Sequence, residues 1–254
     1  MNTHSLPAGS LTPSWGVPML RPLHWLWRGA ADMRHSLGTS LIYGLIVTAI
    51  GALILALGNH PSFIAATITG FLLVGPALGT GLCELSRRRE QGEAMGFEAS
   101  LSPLARRRSA LLGLASVLVA LSAVWFLLST LLLQGVFGAQ VPVTFGALWG
   151  DAMAQASSEQ LIAYVASGGA LAALVFVLSV VAVPLIIDRE STTTGEAMSA
   201  SLSACMQNLP AAIVWAALIT ALVAVGFATM LIGMLVIFPL LGHATWHAYR
   251  DLSR

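Results

Sequence analysis

The sequence predicts an all-α fold: a polytopic membrane helix bundle with six transmembrane helices, built as three hairpin repeats with amphipathic interfacial helices. Three observations predict it. Hydrophobic residues make up 57% of the 254 residues and charged residues only 9%, whereas soluble domains carry about a quarter charged residues. All 12 basic residues are arginines, and none lies inside an apolar block. Three of the long apolar blocks have a proline near their end, at Pro76, Pro184 and Pro239. Each of these prolines is followed by an arginine and an acidic residue.

Residues 1–21 are rich in Pro, Ser and Gly and lack the uninterrupted apolar core of a signal peptide, so we expect a disordered cytoplasmic tail. The remainder, residues 22–254, is predicted to be a single membrane domain. Its three repeats are expected at about 22–90, 91–190 and 191–254.

The first predicted helix covers residues 22–37, where apolar side chains recur at helical spacing. The polar side chains, Asp32 among them, fall on the other side of this helix. Such a helix suits the headgroup region of a bilayer. The alternative is an ordinary helix packed on the protein's own cytoplasmic face, and the residues leave both interpretations open.

Four apolar blocks of about twenty residues or more are each long enough to cross ~30 Å of hydrocarbon. They cover residues 39–57, 62–82, 110–134 and 161–187. The turn signal Gly58-Asn59-His60-Pro61 separates the first two blocks and therefore predicts a hairpin.

The most charged segment, residues 84–108, contains six Arg and four Glu. The positive-inside rule places it in the cytoplasm. Because the glutamates lie among two arginine triplets, we expect contact with anionic lipids and no nucleic-acid partner. Residues 135–160 contain Asp151 and Glu159 but no arginine. They are therefore expected on the outer side, with a short amphipathic helix among them.

The last apolar block, residues 210–241, would be about 50 Å long as one helix, which is more than a bilayer needs. A break near residues 226–229 divides it into two crossings and leaves every arginine on one side. We therefore expect six crossings with both termini in the cytoplasm, in a bacterial inner membrane. Before this block, Thr193 and Glu196 have the spacing of a capping box that opens a helix.

Internal repetition is also visible in the letters. The tetrapeptide GEAM at 92–95 recurs at 195–198, and ASLS at 99–102 recurs at 200–203. Each repeat is predicted to be an amphipathic cytoplasmic helix followed by a hairpin. Duplicated membrane folds often place a site where their repeats meet, which here would be the cytoplasmic end.

A candidate site lies at that end. His243 and His247 are four residues apart, so they share a helix face and can bind one metal ion or a haem edge. When the blocks are aligned on their prolines, two carboxylates take corresponding positions. The candidate metal ligands are Glu84, Asp188, His243 and His247. The alternative is that these side chains only cap carbonyls and meet headgroups; this alternative is favoured, so we expect no bound cofactor.

The C-terminal residues PLLGHATWHAYRD, at 239–251, resemble the closing signature of the bacterial "domain of unknown function 2189" family of predicted integral membrane proteins. GFLLVGP at 70–76 with ELSRR at 84–88 is similar to its first-hairpin signature. The resemblance covers most of the chain from about residue 25 onward. It implies an integral membrane fold without an established activity, although some members have been labelled cytochrome c oxidase subunits.

Enzymatic chemistry is not expected, because the sequence has no GxSxG motif, no phosphate loop and no paired carboxylates in a crossing. We expect an accessory or assembly protein of a membrane complex, for which the resemblance suggests a respiratory oxidase. The alternative is a transporter or channel for a small neutral solute, since the crossings offer only weak polar groups such as Thr48 and Thr220. The expected partners are the lipid bilayer and either a complex subunit or a second copy of the chain.

Overall fold

A computed structural model describes residues 16–57, 61–137 and 156–253. These residues form helices, with no β-strand among them, which confirms the predicted all-α class. Three sequence predictions fall wholly or mostly outside the described residues. They are the N-terminal tail, the turn at residues 58–60 and the outer amphipathic helix.

The helices follow one another with short connections. In chain order they are α1 Arg21–His35, α2 Leu37–Leu57, α3 Pro61–Gln91, α4 Phe97–Arg106, α5 Arg108–Phe137, α6 Ser158–Ser179, α7 Ala182–Asp188, α8 Thr194–Gln207, α9 Leu209–Ala228 and α10 Met234–Leu252.

Among the described residues, three helical segments are long and apolar enough to cross a membrane: Arg108–Leu132 in α5, Ser158–Asp188 through α6 and α7, and Leu209–Ala228, which is α9. A fourth is added if α1 and the first part of α2 count as one bent span, with 107° between them. The chain is therefore an integral membrane protein by the length and composition of its helices. The six crossings stay a prediction.

Three short helices lead directly into long apolar ones, because α1, α4 and α8 each end at a single non-helical residue. These break residues are Ser36, Arg107 and Asn208, with φ of −122°, −116° and −121° and ψ of 36°, 24° and 37°. In each, the backbone N–H donates to the carbonyl four residues earlier. The breaks at Arg107 and Asn208 lie at the same spacing as the two copies of ASLS.

Two local predictions from the sequence are confirmed. The Thr193 hydroxyl accepts from the Glu196 N–H at 3.3 Å, and the Glu196 carboxylate accepts from the Thr193 N–H at 2.8 Å, so a capping box opens α8. The last apolar block breaks after Ala228, where α9 ends. Met230 and Leu231 then adopt positive φ angles of 51° and 69°, a left-handed conformation that redirects the chain.

Helix α10 lies between the backbones of α1 and α2. A Cβ atom added at Gly29 would lie 2.7 Å from the Ala244 backbone nitrogen, and one added at Gly44 would collide with the Leu235 carbonyl. Only glycine permits such an approach without movement of the partner helix. The contact at Gly29 brings the polar ends of α1 and α10 together.

The buried core lies where the helix segments that follow Pro76, Pro184 and Pro239 meet, since α3, α7 and α10 contact one another. Residues 182–187 of α7 are all buried. On α10 the aromatic rings of Trp246 and Tyr249 are buried, and a further buried pair, from α1 and α9, packs edge to face at 5.7 Å. The central site described below sits beside this core.

The face of α1 that carries Asp32 differs from the sequence interpretation. Asp32 was expected on the outer, polar side, but it is only 5% exposed. Trp25 and Gly29 lie on the same buried face, whereas Leu23 and Trp27 of the apolar side are 51% and 68% exposed. The prediction for Asp32 was wrong because its partners on α3 and α10 are far away in sequence.

Candidate functional site

Polar side chains are buried together at the end of the bundle formed by α1, α4 and the C-terminal parts of α3 and α10. We call them the polar network. Its buried members are Asp32, Ser36, Ser40, Glu84, Ser86, His243 and His247. Buried polar groups are costly unless they are hydrogen-bonded, so the partners of each one define what the network can do.

Asp32 connects three helices. One of its carboxylate oxygens pairs with the guanidinium of Arg89 on α3, and the other lies 2.8 Å from Nε2 of His247 on α10. Because a carboxylate only accepts, Nε2 of His247 carries the donated proton. The other ring nitrogen, Nδ1, is buried and has no hydrogen-bond partner among the described residues.

His243 lies one helical turn before His247 and is fully buried. Its Nε2 is 2.9 Å from the Ser40 hydroxyl and its Nδ1 is 2.8 Å from the Ser86 hydroxyl. Burial lowers the pKa of His243 to about 4, although the nearby Asp32 charge acts in the opposite direction. The ring is therefore neutral at physiological pH, with one nitrogen donating and the other accepting, and serine hydroxyls can serve either nitrogen.

Glu84 is fully buried and is held by arginines. Arg87 donates to both of its carboxylate oxygens, at 2.7 and 2.8 Å, and Arg88 donates at 2.8 Å. Arg106 and Ser102 from α4 approach at 3.5 and 3.3 Å. Burial alone would raise the pKa of Glu84, but the hydrogen bonds and charges of the arginines outweigh it and leave that pKa below its usual value. This carboxylate is a charged anchor between α3 and α4.

Asp188, at the end of α7, accepts a hydrogen bond of 2.6 Å from the Tyr249 hydroxyl. The same end is held by Arg107, the break residue between α4 and α5, whose guanidinium donates to backbone carbonyls of Ile186, Glu190 and Thr192. Guanidinium donors thus satisfy carbonyls that the end of a helix leaves free.

A second layer of ion pairs fastens α1 across the end of α10. Arg21 and the Trp25 indole donate to Asp251 at 2.7 and 2.8 Å. Glu90 accepts a hydrogen bond from Arg28 at 3.2 Å and forms an ion pair with Arg250 at 3.3 Å. These partly exposed pairs orient α1 above the buried network.

The four predicted metal ligands take separate partners. His243 and His247 do share a helix face, but Glu84 is bound by arginines and Asp188 by a tyrosine. No group of three or more His, Cys, Asp or Glu side chains is placed to hold a metal ion in the described part of the chain. The arrangement can hold helices together through charge and hydrogen bonds; it does not gather these four side chains as one ligand set.

Sequence reasoning missed four buried members of the polar network: Asp32, Ser36, Ser40 and Ser86. It also missed Arg89, the partner of Asp32. One signal was available. Trp25, Gly29, Asp32 and Ser36 recur at spacings of four and three, which places them on one helix face. A search for apolar periodicity passes over this face because it mixes aromatic, small and polar residues.

The long apolar helices make the chain an integral membrane protein. The polar network lies at one end of its bundle. Residues 63–188, about half of the chain, match the model of the family described as "predicted integral membrane protein (DUF2189)", and the chain belongs to this family. The matched region includes the first-hairpin signature at 70–76 and 84–88, whereas the C-terminal signature at 239–251 lies beyond it. Comparisons with curated proteins and with solved structures give no match.

Proposed function

We propose that the chain is a non-enzymatic protein of the bacterial inner membrane that acts as an accessory or assembly subunit of a membrane complex. The observation that supports this most is the internal pairing of the buried charged groups. Asp32 and Glu84 are both engaged by side chains of the same chain. A general acid or base has to face its substrate, and neither carboxylate is free to do so.

The membrane helices differ in how much surface they offer to partners. In α5 and α9, only 22% of the most apolar stretch of the helix is buried within the chain. The corresponding share is 56% in the continuous run through α6 and α7. Leu127 and Leu131 on α5 are 62% and 65% exposed. An apolar surface of this kind suits either lipid or the membrane helices of another subunit.

The proposal includes a topology of six crossings, in three hairpin units, with both termini in the cytoplasm. Support comes from the matching breaks at Ser36, Arg107 and Asn208, each of which precedes a long apolar helix. Arginines flank the breaks at Ser36 and Arg107 and the polar network, as the positive-inside rule favours for the cytoplasmic side. In this topology α3 and α10 also cross, and their polar C-terminal parts emerge into the cytoplasm.

Co-purification tests the accessory role. The tagged full chain would be extracted from native membranes in mild detergent, and its partners would be quantified by mass spectrometry. A stoichiometric membrane subunit is expected, and a respiratory oxidase is the first partner to look for because of the family resemblance. A chain that purifies alone, and that is stabilised by a small neutral solute, would instead favour the transporter alternative.

Matched variants locate the partner surface. Leu131→Trp on α5 and Val165→Trp on α6 add bulk at positions that are 65% and 71% exposed, so the fold should tolerate both. If α5 carries the contact, only Leu131→Trp will reduce partner recovery. Equal recovery with both variants and the parent would remove α5 as the interface.

A label at the C-terminus tests the topology. A tag fused after Arg254 should be protected in intact cells and become reachable only after the inner membrane is permeabilised. Access from the periplasm would contradict the six-crossing arrangement while leaving the co-purification result unaffected.

A further inference from the structure

The three short helices that precede membrane helices each expose a row of large apolar side chains. We call these rows the apolar stripes. On α1 and the residue before it the stripe is Leu20, Leu23 and Trp27, with exposures of 66%, 51% and 68%; on α4 it is Phe97, Leu101 and Leu104, at 37%, 38% and 47%; on α8 it is Leu202 and Met206, at 45% and 60%. Spacings of three and four place each stripe on one helix face.

Exposed apolar side chains also occur near the start of the membrane helix that follows each stripe. Exposed apolar residues resume on α2 at Ile42 and Leu45, on α5 at Leu112 and on α9 at Ile213. Only one non-helical residue separates each short helix from its successor. The medium that covers the start of these membrane helices is the bilayer, so the adjacent stripes lie at its boundary.

The geometry of α1 suits a position in the plane of the membrane surface. The axes of α1 and α2 differ by 107°, so α1 runs roughly along the surface when α2 crosses. Trp27 points outward, whereas Trp25, two residues earlier, is fully buried. An outward tryptophan on such a helix is typical of the interface between hydrocarbon and water.

Arginines extend two of the three stripes. Arg34 follows Trp27 by seven residues, on the same helix face, and Arg108 follows Leu104 by four as the first residue of α5. Both are exposed, and neither forms an ion pair with the described residues. The α8 stripe has no basic residue; its helix carries only the exposed acidic Glu196.

We infer that α1, α4 and α8 form an interfacial collar seated in the cytoplasmic leaflet, in which Arg34 and Arg108 bind the headgroups of anionic phospholipids. The α8 section is seated by apolar contact alone. A guanidinium next to an apolar stripe meets a lipid phosphate while the neighbouring side chains enter the acyl boundary. The inference rests on the membrane helices and not on the accessory role.

Spin-label accessibility tests the seating of the collar. Single cysteines would replace Trp27, Leu101 and Met206, with His35, Glu98 and Gln207 as exposed controls on the same three helices. The native Cys83 and Cys205 are 1% exposed and would be replaced by alanine. The full chain would be reconstituted in vesicles of phosphatidylcholine or of an equal mixture with phosphatidylglycerol.

Labels on the stripes should collide with membrane-dissolved oxygen more than with an aqueous nickel complex, and the controls should show the reverse. Equal access of nickel to stripe and control positions would overturn the inference. The inference would also be overturned if the stripe labels were shielded from nickel in native membranes but not in vesicles. Another protein would then cover the stripes.

Charge variants test the lipid class. In the mixed vesicles, Arg34→Gln and Arg108→Gln should each reduce phosphatidylglycerol retention about fivefold, as measured by native mass spectrometry. Arg189→Gln removes an exposed charge away from the stripes and should leave retention unchanged. Arg34→Lys and Arg108→Lys keep the charge and should restore it, which separates headgroup binding from a folding defect. Unchanged retention in the double glutamine variant would overturn the role of the arginines.

Discussion

Two buried carboxylates, Glu84 and Asp32, have their negative charges neutralised in different ways. Glu84 takes most of its donors from its own helix, from Arg87 and Arg88 three and four residues later. Asp32 takes its partners from two other helices, through Arg89 on α3 and His247 on α10. Glu84 is thus neutralised chiefly within α3, whereas Asp32 holds α1, α3 and α10 together.

The difference concerns what each carboxylate contributes to the fold. Without Glu84, several guanidinium groups at one place lose their common counter-charge. Without Asp32, the α3 arginine and the α10 histidine lose the link to α1 while each helix stays intact. The first change is a local electrostatic penalty and the second a loss of tertiary connection.

The largest effect is expected from Glu84→Ala. Its side chain is fully buried, and Arg87 and Arg88 are only 12% and 20% exposed, so its loss should lower the free energy of unfolding by about 3–5 kcal/mol. Glu93→Ala is the matched control, because Glu93 pairs with the same arginines but is 44% exposed; it should cost less than about 1 kcal/mol. Denaturant unfolding in micelles, followed by near-ultraviolet circular dichroism, measures both. Equal losses in the free energy of unfolding for the two variants would mean that burial does not strengthen the Glu84 ion pairs.

Asp32 should show coupling across helices. A double-mutant cycle of Asp32→Asn and His247→Gln is expected to give a coupling free energy of about 1.5–3 kcal/mol, since a buried hydrogen bond to a charged group is lost. The control cycle, Arg28→Gln with Glu90→Gln, involves side chains that are 34% and 28% exposed and should give less than about 1 kcal/mol. A coupling between Asp32 and His247 no larger than the control would remove the proposed connection between α1 and α10.

Gly29 offers a way to disturb Asp32 without touching Glu84. An alanine there would place its Cβ within 3 Å of the Ala244 backbone, so α1 has to move away from α10. We expect a loss of about 1–3 kcal/mol. Gly38→Ala has open space around it and should be neutral or stabilising by up to about 1 kcal/mol. Melting temperatures of the two variants check this, and a neutral Gly29→Ala would show that the contact is adaptable.

The same contrast explains how far the sequence could predict the molecule. The capping box at Thr193 and the break after Ala228 depend on neighbouring residues, so local patterns were sufficient. The shared face of His243 and His247 followed from their spacing. Asp32 could not be placed, because its partners are 57 and 215 residues away and a polar residue in an amphipathic helix is normally assigned to the surface.

The four candidate metal ligands have separate partners, which the sequence did not predict. Alignment on the prolines assigned Glu84 and Asp188 the same role as the histidines. Glu84 pairs with Arg87 and Arg88 of its own helix, and Asp188 accepts from Tyr249 of α10. The alignment on the prolines considered none of these partners. Composition predicted the membrane class, and the family resemblance agreed with it but carried no information about these contacts.

The smallest effect expected near neutral pH is a pH dependence of stability that arises from His243. Its pKa in the folded chain is lowered to about 4 from an ordinary value of 6.5, so the unfolded chain takes up the proton first. The contribution of the neutral His243 ring to the free energy of unfolding is therefore fully present above pH 6.5. It declines as the pH falls toward 4. Between neutral pH and about pH 6 the loss should stay below about 1 kcal/mol, steepening to at most about 1.4 kcal/mol per pH unit below that. His243→Asn should flatten this section of the profile relative to the parent in denaturant unfolding at a series of pH values. The Glu84 pairs keep their full contribution to stability above about pH 5.5, because a carboxylate with a lowered pKa loses that contribution only as the pH falls through its ordinary value. A profile between neutral pH and about pH 5.5 that is unchanged by His243→Asn would therefore assign the dependence to another group.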